Sequence, residues 1–161
     1  MGSMSLARQR LSRRQAMRRA LNLVNGTTAA GLLTARLGRV PVRSGPGGLL
    51  LAEGWSLPLP RAAAFTLGNV ILYRSRVSGA FAVEPASALL RHEARHSSQY
   101  AVLGLAFLPL YFAAAGFSTL RTGDPASSNI FEILAGLADG GYPPPPSSPH
   151  RDGRKCPNRG A

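Results

Sequence analysis

The sequence predicts a small α+β fold, mostly helical, with a short β-sheet beside one helix. Three observations carry this. Residues 63–73 are dense in Phe65, Thr66, Val70, Ile71 and Tyr73, which suit a pleated strand. Leu89, His92, Glu93, His96 and Tyr100 recur at helical spacing. Residues 101–120 then run for twenty positions without a charge, which favours buried or membrane-facing helix.

Taken in order, residues 5–38 read as helix in two pieces broken at Asn25-Gly26. Thr27 or Thr28 is suited to cap the second piece, and Gly38 to end it. Ser12-Arg13-Arg14-Gln15 faintly resembles a twin-arginine export signal, but Asn22, Asn25, Thr27 and Thr28 make a poor apolar core for one. Residues 41–60 are rich in Gly and Pro, with one strand-like run at 48–55. Gly68-Asn69, inside the strand at 63–73, marks a bulge or the close approach of another backbone. Glu84-Pro85 is expected to open the next helix, because Pro suits the first helical position. A last helix is expected from Ile130 to about Asp139, capped by Asn129 and ended by Gly140-Gly141. Residues 143–161 hold four consecutive prolines and few apolar residues, the composition of a disordered tail. The organisation expected is a basic helical segment at 1–40, a core at 41–142 and the tail.

The net charge is +12 over 161 residues. Nine arginines precede position 44, and the first acid is Glu53. This asymmetry suits attraction to an anionic membrane surface. No aromatic-rich RNA motif or zinc-knuckle spacing accompanies it, so sequence-specific nucleic-acid binding is not expected. The single Cys156 can form neither an internal disulfide nor a Cys-rich metal site.

His92-Glu93-Ala94-Arg95-His96 carries the chemistry. Residues four apart share one helix face, so both imidazoles can hold one ion, and Zn²⁺ is the expected one. Glu93 can then take a proton from a water that the ion activates. A third ligand is needed. A metzincin would place glycine at 99 and histidine at 102, but Gln99 and Val102 stand there. Glu84 lies two turns from His92 along the axis, and His150 and Asp152 fall in the tail. Glu132 is the first choice, with Asp139 and Asp124 in reserve. Asn129-x-x-Glu132 also fits a capping arrangement in which Glu132 only bonds the cap backbone. Gln99 is a candidate to hydrogen-bond around the site. Tyr100 and Tyr142 are conceivable donors to a developing oxyanion, each with packing as its ordinary role.

The apolar run constrains this site. A straight span over residues 101–120 would cover about 30 Å and hold His96 and Glu132 apart. A shared ion requires the chain to fold back, and Pro109, at the middle of the run, is the expected turning point.

Ala64-Phe65-Thr66-Leu67-Gly68-Asn69-Val70-Ile71, Leu89-Leu90-Arg91-His92-Glu93-Ala94-Arg95-His96-Ser97-Ser98-Gln99 and Asn129-Ile130-Phe131-Glu132-Ile133-Leu134-Ala135 together resemble a zincin-like metallopeptidase core domain. That domain occurs in bacterial toxin and extracellular contractile injection system proteins. The Arg-rich N-terminal segment is similar to that of small actinobacterial proteins with the same core. The resemblance spans residues 64–139 and implies His92, His96 and Glu132 as Zn²⁺ ligands and Glu93 as general base. Gly136 stands where the pattern has an aspartate behind a ligand, and Asp139 is the expected substitute. The implied activity is hydrolysis of a peptide or protein substrate. Separately, the chain is expected to be cytoplasmic, with membrane association as the alternative to a wholly free state. The rival is a catalytically silent metal-binding or membrane-associated structural protein.

Overall fold

A computed structural model describes residues 10–81 and 86–142. Glu84, Pro85 and the expected tail at 143–161 lie outside the described residues. The α+β architecture is as expected: the described residues form five α-helices and one four-stranded sheet. The helices are α1 (Arg13–Val24), α2 (Thr27–Leu37), α3 (Ala88–Leu103), α4 (Phe107–Thr122) and α5 (Ile130–Ala135). The strands are β1 (Val42–Ser44), β2 (Leu50–Glu53), β3 (Ala64–Leu67) and β4 (Val70–Tyr73).

The run at 63–73 is a hairpin rather than one strand. β3 and β4 pair antiparallel, with Leu67 opposite Val70 across Gly68-Asn69. Gly68 takes φ +60°, the left-handed conformation such a tight turn needs. A Cβ on Gly68 would also meet the Thr27 carbonyl carbon and the Thr28 nitrogen at 2.5 Å. The close backbone approach expected at this position is therefore present, made by the start of α2.

The sheet order is β1-β2-β4-β3, with β2 and β4 parallel and both outer pairs antiparallel. β4 is buried along its whole length because both its faces are covered. Val70 and Leu72 pack with Ala35, Val40, Ala52 and Trp55 on the α2 side. Ile71 and Tyr73 pack with Leu51, Phe81 and Leu90 on the α3 side. β3 is left as an edge strand lying against α3.

Ser12 and Gln15 form a reciprocal capping box, so the Ser-Arg-Arg-Gln run here begins α1. α2 is not capped by either threonine. Gly26 occupies its N-cap, Asn25 Oδ1 accepts from the Thr27 amide at 3.1 Å, and both threonines are buried inside the helix. A buried polar cluster ties these helices to the rest of the fold. Asn22 Nδ2 donates to Asn69 Oδ1 at 3.0 Å and to the Ser97 carbonyl at 2.9 Å. Asn69 Nδ2 donates to Thr28 Oγ1 at 2.9 Å and to the Arg19 carbonyl at 3.1 Å. Four elements thus meet at one asparagine pair, whose bonds are strong because water is excluded.

α3 starts at Ala88, with the Ser87 hydroxyl accepting from the Leu90 amide, later than the expected Glu84-Pro85 start. It stops at Gly104, whose φ 59°, ψ −145° turn the chain away from helical geometry. A three-residue 3₁₀ turn follows, and α4 begins at Phe107. The fold-back required by the site is therefore made at Gly104–Ala106. Pro109 sits in the first turn of α4, where its missing N–H costs nothing. By length and composition, Ala88–Thr122 is one helical stretch apolar enough to cross a membrane, but it is bent here. α5 ends at Ala135, earlier than the expected Asp139, because Gly136 takes φ +87°.

Candidate metal centre

The site is built where α3, α4 and α5 meet. His92 and His96 lie one turn apart on α3, and both are buried. Their Nε2 atoms are 3.0 Å apart. Glu132, buried on the first turn of α5, brings Oε2 to 3.2 Å from His92 Nε2 and 3.6 Å from His96 Nε2. These three side chains form a buried group positioned to bind a metal ion, with ligand atoms all within 4.8 Å of one another.

The surrounding bonds fix which ring atoms face inward. His92 Nδ1 lies 3.0 Å from the Gly136 carbonyl oxygen, which can only accept, so Nδ1 carries the hydrogen. His96 Nδ1 lies 2.8 Å from Gln99 Oε1, and Gln99 Nε2 donates to the Phe131 carbonyl at 2.9 Å. That second bond orients the amide and leaves its oxygen for His96. Both neutral imidazoles therefore present an Nε2 lone pair to the same point, as metal-ligating histidines do. The Tyr111 hydroxyl donates to Glu132 Oε1, while Glu132 Oε2 is buried with no hydrogen-bond donor. Three lone-pair atoms converge, and a bound proton could serve only one close pair. A cation satisfies all three, so the donor set fits a metal.

The electrostatics agree. Burial alone would raise the Glu132 carboxyl, but the closeness of the His92 and His96 imidazoles outweighs it and holds it well below the usual carboxylate range. Burial disfavours charge on His92, yet Glu132 and the Glu93 charge outweigh that and raise its pKa. Both directions follow from one carboxylate lying directly against two imidazoles. Glu93 is buried beside the pair, and burial pushes its carboxyl up. The Thr66 hydroxyl of β3 donates to Glu93 Oε2 at 2.6 Å. Burial likewise raises Tyr100, Tyr111 and Tyr142 above the ordinary phenol value.

Glu132 thus sits at the imidazoles and does not serve the cap. Asn129 caps α5 by itself, its Oδ1 accepting from the Phe131 amide at 3.1 Å. Neither reserve acid reaches the site. Asp124 accepts from the Ala126 and Ser127 amides. Asp139 pairs with Arg95 at 2.7 Å and Arg91 at 3.3 Å, and does not stand behind a ligand. That place is taken by the main-chain carbonyl of Gly136 itself. Arg95 holds this corner, donating also to the Ala135 carbonyl at 2.6 Å. Gln99 does bond around the site. Tyr142 comes within 6.0 Å of His92, ring centre to ring centre.

Four residues at the site were missed by sequence reasoning. Tyr111 was hidden in an apolar run, and Gly136 was read as a loss. Thr66 had a signal, since a threonine inside the strand motif repeats in the resembled pattern. Gly140 had none. A Cβ there would meet three atoms of the His92 ring at 2.6–2.9 Å. Gly140→Ala is therefore expected to displace the His92 ring and weaken metal binding about 10–100-fold, the size of effect seen when a ligand's support is disturbed. Competition with a chromophoric chelator measures this. An unchanged affinity would show that the ring does not need this contact.

A cavity of about 700 Å³ opens beside the metal centre. Its walls include Glu93, His96 and Glu132, the β3 segment Phe65–Thr66–Leu67, and Leu108, Tyr111 and Phe112 of α4. Its remaining lining is mostly apolar, with Trp55, Leu59 and Pro60 on the loop side.

No family model matches this chain, and neither a curated protein nor a solved structure does.

Proposed function

We propose that this protein is a zinc-dependent metallopeptidase. The observation that carries the reading is the unsatisfied, buried Glu132 Oε2 facing two Nε2 lone pairs, with Glu93 on the wall of the same cavity. Two imidazole nitrogens and one carboxylate oxygen suit Zn²⁺, and three protein ligands leave a position open for chemistry. When bound, Zn²⁺ supplies Lewis acidity, lowering the pKa of water and polarising a carbonyl. The chain's own residues do the rest. His92 and His96 are held by Gly136 and Gln99 in the tautomer that ligates. Glu93 takes a proton from the attacking water at its carboxylate and passes it to the leaving amine. Thr66 keeps the Glu93 carboxylate turned to the cavity side of β3. The free backbone edge of β3 suits an extended peptide, which would add as a further strand along the cavity.

The test is chelation and reconstitution. Peptide hydrolysis by the purified chain is expected to disappear with a strong chelator and to return with Zn²⁺ but not with Mg²⁺. Hydrolysis that survives exhaustive chelation would overturn the reading.

A further inference from the structure

We infer that the protein docks on anionic lipid bilayers through the outer face of α4. Leu110, Phe112, Ala113, Gly116, Phe117 and Leu120 are all exposed. At 100° per residue they share an arc of about 160°. That arc carries no charge, and Leu120 and Phe112 are 91% and 66% exposed. Exposed Val102 and Leu105 continue it across the Gly104 bend. Such a continuous apolar surface marks a docking site.

The charges choose the occupant. Among the described residues every carboxylate is engaged. Glu93 and Glu132 are in the site, and Asp139 is paired with Arg91 and Arg95. Asp124 holds its own loop, and Glu53 accepts from Tyr73 and Ser78. Arg13, Arg14, Arg19, Arg36 and Arg61 are exposed, and none of them pairs with a described carboxylate. A second copy of this chain would bring +12 against +12. A nucleic acid would meet the arginines but leave the apolar arc in water. An anionic bilayer satisfies both.

α4 lies in the interface and does not span it. Sixteen residues cover about 24 Å, short of the roughly 30 Å of hydrocarbon. Leu108 and Phe112 of α4 also border the cavity of the metal centre, as does exposed Leu59 across it. Docking therefore brings this wall of the cavity to the lipid surface. The docking itself does not depend on the metal.

Sedimentation of the full chain with vesicles tests this. Wild type is expected to bind phosphatidylcholine vesicles containing phosphatidylglycerol at least tenfold more tightly than phosphatidylcholine alone. The triple variant Phe112→Asp, Phe117→Asp, Leu120→Asp should lose at least tenfold of that binding. Phe117→Asp alone should lose part of it, and the circular dichroism spectrum and melting temperature of each variant report intact folding. Unchanged binding by folded triple variant, or no preference of wild type for the anionic vesicles, would overturn the inference. So would a wild-type dimer that the triple variant breaks, or retention on duplex DNA with no vesicle binding. Wild type that takes up no zinc yet binds vesicles would count against the metal centre and leave this inference standing.

Discussion

Glu132→Ala is expected to take the purified protein from about one bound metal ion per chain to nearly none. The two histidines alone leave a two-ligand site, below the three that such centres use. The loss should be at least a hundredfold in affinity, larger than the 10–100-fold typical of disturbing a supporting residue. The substitution also removes the acceptor of the Tyr111 hydroxyl and exposes the facing Nε2 atoms to each other at 3.0 Å. Buried imidazoles can stay neutral, so the fold should tolerate the change better than it would a stranded charge. Glu132→Gln is the sharper version. It keeps the size and the contact with Tyr111 but halves the ligating oxygens and removes the negative charge. Asp139→Ala is the contrasting control, because Asp139 only braces Arg91 and Arg95. Metal analysis by mass spectrometry reads all three. Full metal occupancy in Glu132→Ala would remove Glu132 from the ligand set.

How far the sequence foretold this site follows from the range of each interaction. The helix carrying His92 and His96 was legible because four-residue spacing is a local rule. Its metal-ready tautomers were not, since Gly136 and Gln99 reach the rings from the α5 turn and from α3 itself. Glu132 could be ranked first but not separated from a capping role, because both fit the same Asn129-x-x-Glu132 spacing. Only the distance to the imidazoles decides. The requirement for a fold-back was correct, and its position was wrong. Proline at 109 looked like the breaker, yet proline is harmless in a first helical turn, while Gly104 supplies a conformation that other residues resist. The strand at 63–73 failed in a related way. β-branched and aromatic residues report a pleated, buried surface, and both arms of a tight hairpin satisfy that description. The N-terminal arginines concealed something further. Read as a charged segment, they hide Asn22, which bonds Asn69 and Ser97 at the centre of the fold. An isolated asparagine among arginines has no periodicity to betray burial.

Glu93→Gln is expected to leave metal content unchanged and to lower the rate of peptide hydrolysis by at least a hundredfold. The amide keeps the shape of the carboxylate and can still accept from Thr66, whose hydroxyl lies 2.6 Å from Oε2. What it loses is the ability to take a proton, and a positioned general base typically contributes about 10²–10⁴-fold. Burial raises the Glu93 pKa, with Thr66 and the two imidazoles opposing the shift. Thr66→Val provides the intermediate case. It retains volume and the strand preference but frees the carboxylate, so turnover should fall less than in Glu93→Gln, with metal content again intact. The order wild type, Thr66→Val, Glu93→Gln, measured as single-substrate rates on zinc-loaded protein, separates catalysis from structure. A metal-binding protein without catalysis gives a different result: zinc in all three proteins and hydrolysis in none. The carbonyl of Gly136 behind His92 makes that comparison pointed. A neutral acceptor there raises the basicity of the imidazole less than a carboxylate would, so a site that binds metal without catalysis shows itself as zinc without hydrolysis.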